Sequence, residues 1–135
     1  MLDITGPPPV MCVVREQGAH ELLYLENHAV FADEVTRQFL AAHRVTVVPS
    51  LAAARSCLAS GTYDLVLSDY DLDDGKGEEF VQECRAALPR LPIIAVSSHE
   101  AGNAALLRAG ASAVCSKMEF HHIQKVIGGL ANEKP

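Results

Sequence analysis

One stretch limits the possible folds more than any other. It runs from Tyr63 to Gly77 and contains the apolar run Leu65-Val66-Leu67, followed by Asp69, Asp71, Asp73 and Asp74 and then by Gly75 and Gly77. A short apolar run bounded by turn residues reads as a strand buried on both faces. Such a strand needs helices above and below it. Its carboxyl end delivers Asp69 to the mouth of the sheet, where ligands bind in open α/β folds. Four like charges in one loop repel each other unless a cation sits among them. A turn whose carboxylates are simply solvated is the plain alternative.

The surrounding chain repeats this alternation. Leu22 to Leu25 reads as a first strand, ending in Glu26-Asn27-His28. Val30 to His43 carries Phe31, Val35 and Phe39 at helical spacing. Val45 to Val48 is β-branched and reads as a second strand. Pro49 stops it, and Ser50 is a good N-cap for a helix over Leu51 to Ala59, closed by Gly61. After the opening stretch comes a helix over Glu78 to Leu88, with Phe80, Val81, Cys84 and Leu88 on one side. Ile93 to Val96 is a fourth strand, followed by Ser97-Ser98-His99. A small-residue helix over Glu100 to Ala109 ends at Gly110. Ala113 to Cys115 is a fifth strand, followed by Ser116 and Lys117, and a helix over Phe120 to Leu130 closes the series.

Five strands alternating with five helices through short loops imply right-handed crossovers and a parallel sheet. We therefore expect a three-layer, doubly wound, flavodoxin-like α/β fold with strand order 2-1-3-4-5. Its 135 residues suit one domain, assigned to residues 21–132. Residues 1–20, with Gly6-Pro7-Pro8-Pro9 and the apolar Val10 to Val14, read as an N-terminal extension, either an extra strand or a linker.

Composition excludes several function classes. The net charge is -6 with a pI near 5.4 and no Lys/Arg cluster, which argues against direct nucleic-acid binding. No apolar run approaches the roughly 20 residues of a membrane helix, and no signal peptide is evident. Cys12, Cys57, Cys84 and Cys115 form no C-x-x-C pair and read as small hydrophobes of a reducing compartment, so a cytoplasmic location is expected. Asp69-x-Asp71-x-Asp73 imitates an EF-hand start, but Asp74 and Phe80 occupy the positions of its Gly and Glu. Gly75-Lys76-Gly77 lacks the rest of a P-loop.

The strand ends gather a chemistry of their own. Glu26 and Asn27 follow the first strand, Asp69 and Asp71 the third, Ser97 and Ser98 the fourth, and Lys117 the fifth. Oxygen ligands of this kind suit a hard cation such as magnesium. A carboxylate beside that metal can attack a phosphoryl group, while a hydroxyl and an ammonium hold its oxygens. Each residue also has an ordinary reading: Asp69 as a helix-start acid, Ser97 as a turn residue, Lys117 as a solvated surface lysine, Glu26 and Asn27 as helix caps. His99, His121 and His122 show no metal-ligand spacing and read as surface residues.

Taken together these motifs resemble the receiver domain of two-component response regulators, from Glu21 to Leu130. The resemblance rests on Asp64 to Asp69 running on to Gly77, on Leu91 to Ser98, and on Ala109 to Lys117. It implies that Asp69 accepts a phosphoryl group from a histidine kinase or phosphotransfer protein. It also implies that Ser97 is the switch hydroxyl and that Lys117 binds the phosphoryl group. Glu26 and Asn27 fall on the acidic pair that carries magnesium, and Asp71 falls where a backbone carbonyl ligates it. His99 lines the phosphoryl pocket and is expected to affect dephosphorylation. Output would pass through contacts with another protein around the fourth helix and fifth strand. The module would turn over no substrate beyond its own phosphorylation and dephosphorylation. Dimerisation through the face from the fourth to the fifth helix is open to such domains.

The departures from the family are specific. Asn27 replaces a metal-bound carboxylate, so magnesium affinity should fall unless the extra aspartates compensate. Asp73 stands where proline is usual. Met118 follows Lys117 where proline is common, so a trans peptide is expected there. Val114 replaces the aromatic switch residue of many receivers. Two alternatives follow. One is a pseudo-receiver, an interaction module in this fold not regulated by phosphate. The other is a haloacid-dehalogenase-type phosphatase, disfavoured because no acidic pair follows Lys117.

Overall fold

A computed structural model describes residues 19–132 of the chain. The sheet strands are β1 (Glu21–Leu25), β2 (Arg44–Val48), β3 (Leu65–Ser68), β6 (Ile93–Ala95) and β7 (Ala113–Val114). A small hairpin, β4 (Asp71–Leu72) and β5 (Gly75–Lys76), follows β3. The helices are α1 (Ala29–Phe39), α2 (Leu51–Ser60), α3 (Gly77–Ala87), α4 (Glu100–Ala109) and α5 (Ile123–Asn132), the last preceded by a 3-10 segment, Lys117–His122. The five sheet strands run parallel in the order β2-β1-β3-β6-β7, as expected of a doubly wound fold.

Alternation along β1 divides the core. Leu22 and Tyr24 face one side, packed with Val35, Phe120, Ile123 and Ile127. Leu23 and Leu25 face the other, packed with Leu51, Phe80, Val81 and Leu106. Leu22, Leu23, Leu25, Val66 and Leu67 are wholly buried. Each such side chain contributes about 1.5–3 kcal/mol of transfer free energy. That burial on both faces is why the strand sequences are almost uniformly apolar.

Several boundaries differ from expectation for identifiable reasons. α1 stops at Phe39, not His43. Leu40 caps it, and β2 starts at Arg44, whose N–H donates to the His20 carbonyl at 3.0 Å. α3 ends at Ala87, so Leu88 is a cap residue 44% exposed, not a core position. Gly61 does follow α2, but with extended backbone (φ -155°), so no left-handed cap forms. In place of a helix starting at Phe120, the 3-10 segment begins where the Ser116 side chain accepts the Met118 N–H, and Glu119 interrupts the helical geometry. The extension proposed for residues 1–20 lies outside the described residues apart from Ala19 and His20.

Strand register sets up the site. Leu25 pairs with Ser68, so the next residues, Glu26 and Asp69, leave the sheet side by side. The Asp69 N–H donates to the Leu25 carbonyl at 3.0 Å, and the Glu26 N–H to the Val48 carbonyl at 2.9 Å. On the other flank, the Val96 N–H reaches the Ser68 carbonyl at 3.0 Å and the Lys117 N–H reaches the Ser97 carbonyl at 3.3 Å.

Candidate functional site

Lys117 joins two strand ends. Its Nζ lies 2.8 Å from Asp69 Oδ2, 2.9 Å from Glu26 Oε1 and 3.1 Å from Glu26 Oε2. It also sits 5.1 Å from the centre of the Phe31 ring, which gives the ammonium an aromatic floor. Glu26 is 1% exposed and Asp69 is 7% exposed, so one half-buried ammonium serves two buried carboxylates. Burial raises the Glu26 carboxyl above the usual carboxylate range. Asp69 reinforces that shift and Lys117 opposes it. Burial works against the Lys117 ammonium too, but its bonds to Asp69 and Glu26 outweigh that and hold it above the ordinary lysine value.

Asp69 is fixed from several directions. Its Oδ1 accepts the Tyr70 N–H at 2.7 Å, and its carbonyl accepts the Ser68 hydroxyl at 2.9 Å. Gly77 closes behind it, with its N–H donating to the Tyr70 carbonyl at 2.6 Å. A Cβ on Gly77 would stand 2.1 Å from the Asp69 carbonyl oxygen, so the backbone can pass only as glycine.

Ser97 is buried at the end of the β6 segment. Asn103 on α4 holds its backbone twice: Asn103 Oδ1 accepts the Ser97 N–H at 2.8 Å, and Asn103 Nδ2 donates to the Ser97 carbonyl at 3.0 Å. The Ser97 hydroxyl oxygen accepts the His99 N–H at 3.1 Å, leaving its own hydrogen free to donate. Gly102 lets α4 approach, since a Cβ there would meet Ser97 Oγ at 2.8 Å. Asn103 and Gly102 were not singled out from sequence, and Gly77 was noted only as the end of the acidic loop. A polar residue inside a small-residue helix was the one available signal.

The remaining candidates are placed differently. Asn27 is exposed, and its Nδ2 donates to Asp73 Oδ1 at 3.4 Å. His28, not Glu26 or Asn27, caps α1, with its Nδ1 accepting the Phe31 N–H. The Asp71 carboxylate turns to the Lys76 ammonium across the β4–β5 hairpin. Asp74 caps α2. His99 is an exposed N-cap of α4 whose side chain makes no capping bond. Val114 is half-buried and packs against the core face that holds Leu106. All described peptides are trans, Lys117–Met118 included.

The donor set suits a hard cation in kind: two converging carboxylates, with the Asn27 amide on the neighbouring residue and carbonyls of the loop. It is sparse in charge, because Lys117 already neutralises one carboxylate. Among the described residues, no three carboxylate, imidazole or thiolate side chains gather at one point. Any metal held here would lean on neutral oxygens. No described helix is long and apolar enough to cross a membrane.

A family profile, the response regulator receiver domain, matches residues 22–127. Many solved structures share the fold. The receiver domain of a sensor histidine kinase from Pseudomonas aeruginosa, solved with magnesium in its active-site cleft, is 24% identical. The match covers 85% of this chain and 99% of that one, with a TM-score of 0.74. A putative response regulator from Chloroflexus aurantiacus is 21% identical over 84% of this chain and 98% of its own, with a TM-score of 0.72. A response regulator from Thermotoga maritima, solved in complex with magnesium and BeF, is 18% identical over 81% and 96%, with a TM-score of 0.73. No curated protein matched the chain.

Proposed function

Since the chain belongs to the response regulator receiver domain family and is thereby a domain of two-component signalling, we propose that it is switched by a phosphoryl group carried on Asp69. The observation that carries this reading is the 2.8 Å contact between Asp69 Oδ2 and Lys117 Nζ at a buried strand end. The donor is a phosphohistidine of a kinase or phosphotransfer protein. One Asp69 carboxylate oxygen attacks phosphorus, a P–O bond forms as the P–N bond breaks, and the imidazole leaves with the bonding electron pair and takes a proton. The product is an acyl phosphate.

Each group near Asp69 has a part in this step. Lys117 swings its ammonium from Glu26 and the bare Asp69 carboxylate to hold a phosphoryl oxygen. Ser97 turns its free hydroxyl hydrogen toward another. Tyr70 N–H keeps the carboxylate oriented. Magnesium would be held by Glu26, Asp69, Asn27 and the Asp71 carbonyl, and when bound it neutralises charge developing on the phosphoryl oxygens. The movement of Ser97 and Lys117 biases the surface between α4 and β7. That surface is a groove bordered by Ala101, Ala104, Leu107, Val114 and Met118, with Leu107 and Met118 exposed, and we assign the output protein to it.

One observation favours the second reading, an interaction module that no longer uses phosphate. The Asn27 amide, on the position of a metal-bound carboxylate, is engaged with Asp73 at 3.4 Å. Titration with magnesium and beryllofluoride, followed by amide NMR, separates the two. Saturable shifts at Asp69, Ser97 and Lys117 support phosphoryl control. No response at millimolar metal supports the pseudo-receiver.

A further inference from the structure

Among the described residues the sheet has two edges, and they differ in length. β7 stands at one and is two residues long, and shortness is itself a defence against stray pairing. β2 stands at the other and is five residues long. Within it, Val45-Thr46-Val47-Val48 carries no charge, and neither proline nor glycine interrupts it. The Arg44 N–H donates to the His20 carbonyl at 3.0 Å, and the Val48 carbonyl accepts the Glu26 N–H at 2.9 Å. Arg44, Thr46 and Val48 therefore turn their backbone groups toward β1. Alternation turns the N–H and carbonyl of Val45 and Val47 the other way, along the free edge. Val45 is half-buried against the core, and Val47 is 39% exposed. Such an edge is a template for one more apolar strand.

The chain enters the sheet beside this edge. Both backbone groups of His20 face the start of β2: its carbonyl takes the Arg44 N–H, and its N–H donates to His43 Nδ1 at 3.0 Å. Its ring stacks on the His43 ring with centroids 5.4 Å apart. A short way upstream, outside the described residues, the sequence holds Val10-Met11-Cys12-Val13-Val14, an uncharged run rich in β-branched residues. We propose that residues 10–14 pair antiparallel with the free edge of β2 as a sixth strand. Six steps join Val14 to His20 and can span about 20 Å, whereas two strand spacings need about 10 Å. The surplus leaves room for a turn at Gln17-Gly18. A parallel strand would leave Val14 at the carboxyl end of β2. Its link to His20 would then have to cross a sheet face already packed with side chains from the helices. The antiparallel strand supplies partners to Val45 and Val47 and closes the longer edge against pairing between copies. This assignment is independent of the phosphoacceptor reading of Asp69.

The test uses the full chain and has two arms. The first follows amide hydrogen exchange by NMR. In the wild type, the Val45 and Val47 amides are expected to exchange on the order of 100-fold more slowly than in an unstructured chain. In the double variant Cys12→Pro, Val13→Pro, which blocks pairing in either register, they are expected to exchange about tenfold faster than in the wild type. The Thr46 amide, which faces β1, should stay slow in both. Rapid exchange of Val45 and Val47 in the wild type, the result if the edge awaits a strand from another protein, overturns the proposal. So does protection that survives the two prolines. The second arm needs no variant and decides the matter even where the double variant does not fold. Cross-strand nuclear Overhauser effects are expected between residues 10–14 and Val45 to Val47 of the wild type. A mixture of isotope-labelled and unlabelled protein should show them within one chain. Their absence, or their appearance between chains as in an edge-to-edge dimer, overturns the proposal.

Discussion

Asp74 caps a helix that begins at Leu51, far away in sequence. Its Oδ1 accepts the Leu51 N–H at 2.7 Å and its Oδ2 accepts the Ala52 N–H at 3.0 Å, while Ser50 Oγ takes the Ala53 N–H at 3.1 Å. Three of the first-turn donors of α2 are thus satisfied by two side chains from different segments. The anchor fixes the β4–β5 hairpin against α2, and with it the loop that follows Asp69. Asp74→Ala should lower the melting temperature at neutral pH. The backbone bonds from Leu51 and Ala52 hold the Asp74 carboxyl below the usual carboxylate range. A depressed carboxylate stabilises the fold above its unfolded value of about 3.9 and loses that contribution as pH falls through the folded value. The gap between wild type and Asp74→Ala should therefore close in thermal melts taken progressively below about pH 4. A gap that stays constant through that range would refute the cap.

Gly77→Ala should damage the site by backbone collision. The added methyl would lie 2.1 Å from the Asp69 carbonyl oxygen and 2.9 Å from Ser68 Oγ, so the loop must move. Forced overpacking costs typically about 1–3 kcal/mol, and collision with backbone puts this variant at the upper end. Urea denaturation gives the loss of stability, and Asp69 reactivity toward acetyl phosphate should fall with it.

Lys117→Met should leave Glu26 and Asp69 as unpaired buried carboxylates. Removing one partner of a buried ion pair costs about 3–5 kcal/mol. Part of that is relieved by protonating Glu26, whose folded affinity for a proton is already raised by burial. A carboxyl raised in the fold gives stability that is lost as pH increases. Denaturation curves should accordingly show the variant's deficit shrinking from pH 7 to pH 5. A deficit that grows on acidification would contradict this charge balance.

His99→Ala should leave stability nearly unchanged, because the exposed side chain makes no capping bond. The lifetime of the acyl phosphate should change at least twofold, since the bond from the His99 N–H to Ser97 Oγ, which the variant keeps, sets the imidazole that the variant loses next to the proposed phosphoryl position. Autodephosphorylation followed after removal of the donor reads this directly. Equal rates would remove His99 from the pocket.

The sheet and the strand-end cluster were legible because both depend on local signals. Uniform apolar runs announce parallel strands buried on two faces, and in this topology their carboxyl ends must meet at one edge. Lys117, Glu26 and Asp69 converge for that reason. The β4–β5 hairpin was not legible, since two-residue strands carry no periodicity. Asp73 and Asp74 looked like spare charge for a metal. Their actual bonds, to Asn27 and to the start of α2, are long-range and leave no local trace. Asn103 was missed likewise, because it reads as an ordinary helix residue. Only three-dimensional neighbours show that it holds Ser97.

The central claim is that Asp69 carries the phosphoryl group. Wild type and Asp69→Asn should be incubated with acetyl phosphate and magnesium, and their intact masses compared. The account predicts a gain of one phosphoryl mass in the wild type, released by hydroxylamine as an acyl phosphate would be, and no gain in Asp69→Asn. Equal labelling of the two proteins, or none in a wild type that binds beryllofluoride, would contradict it.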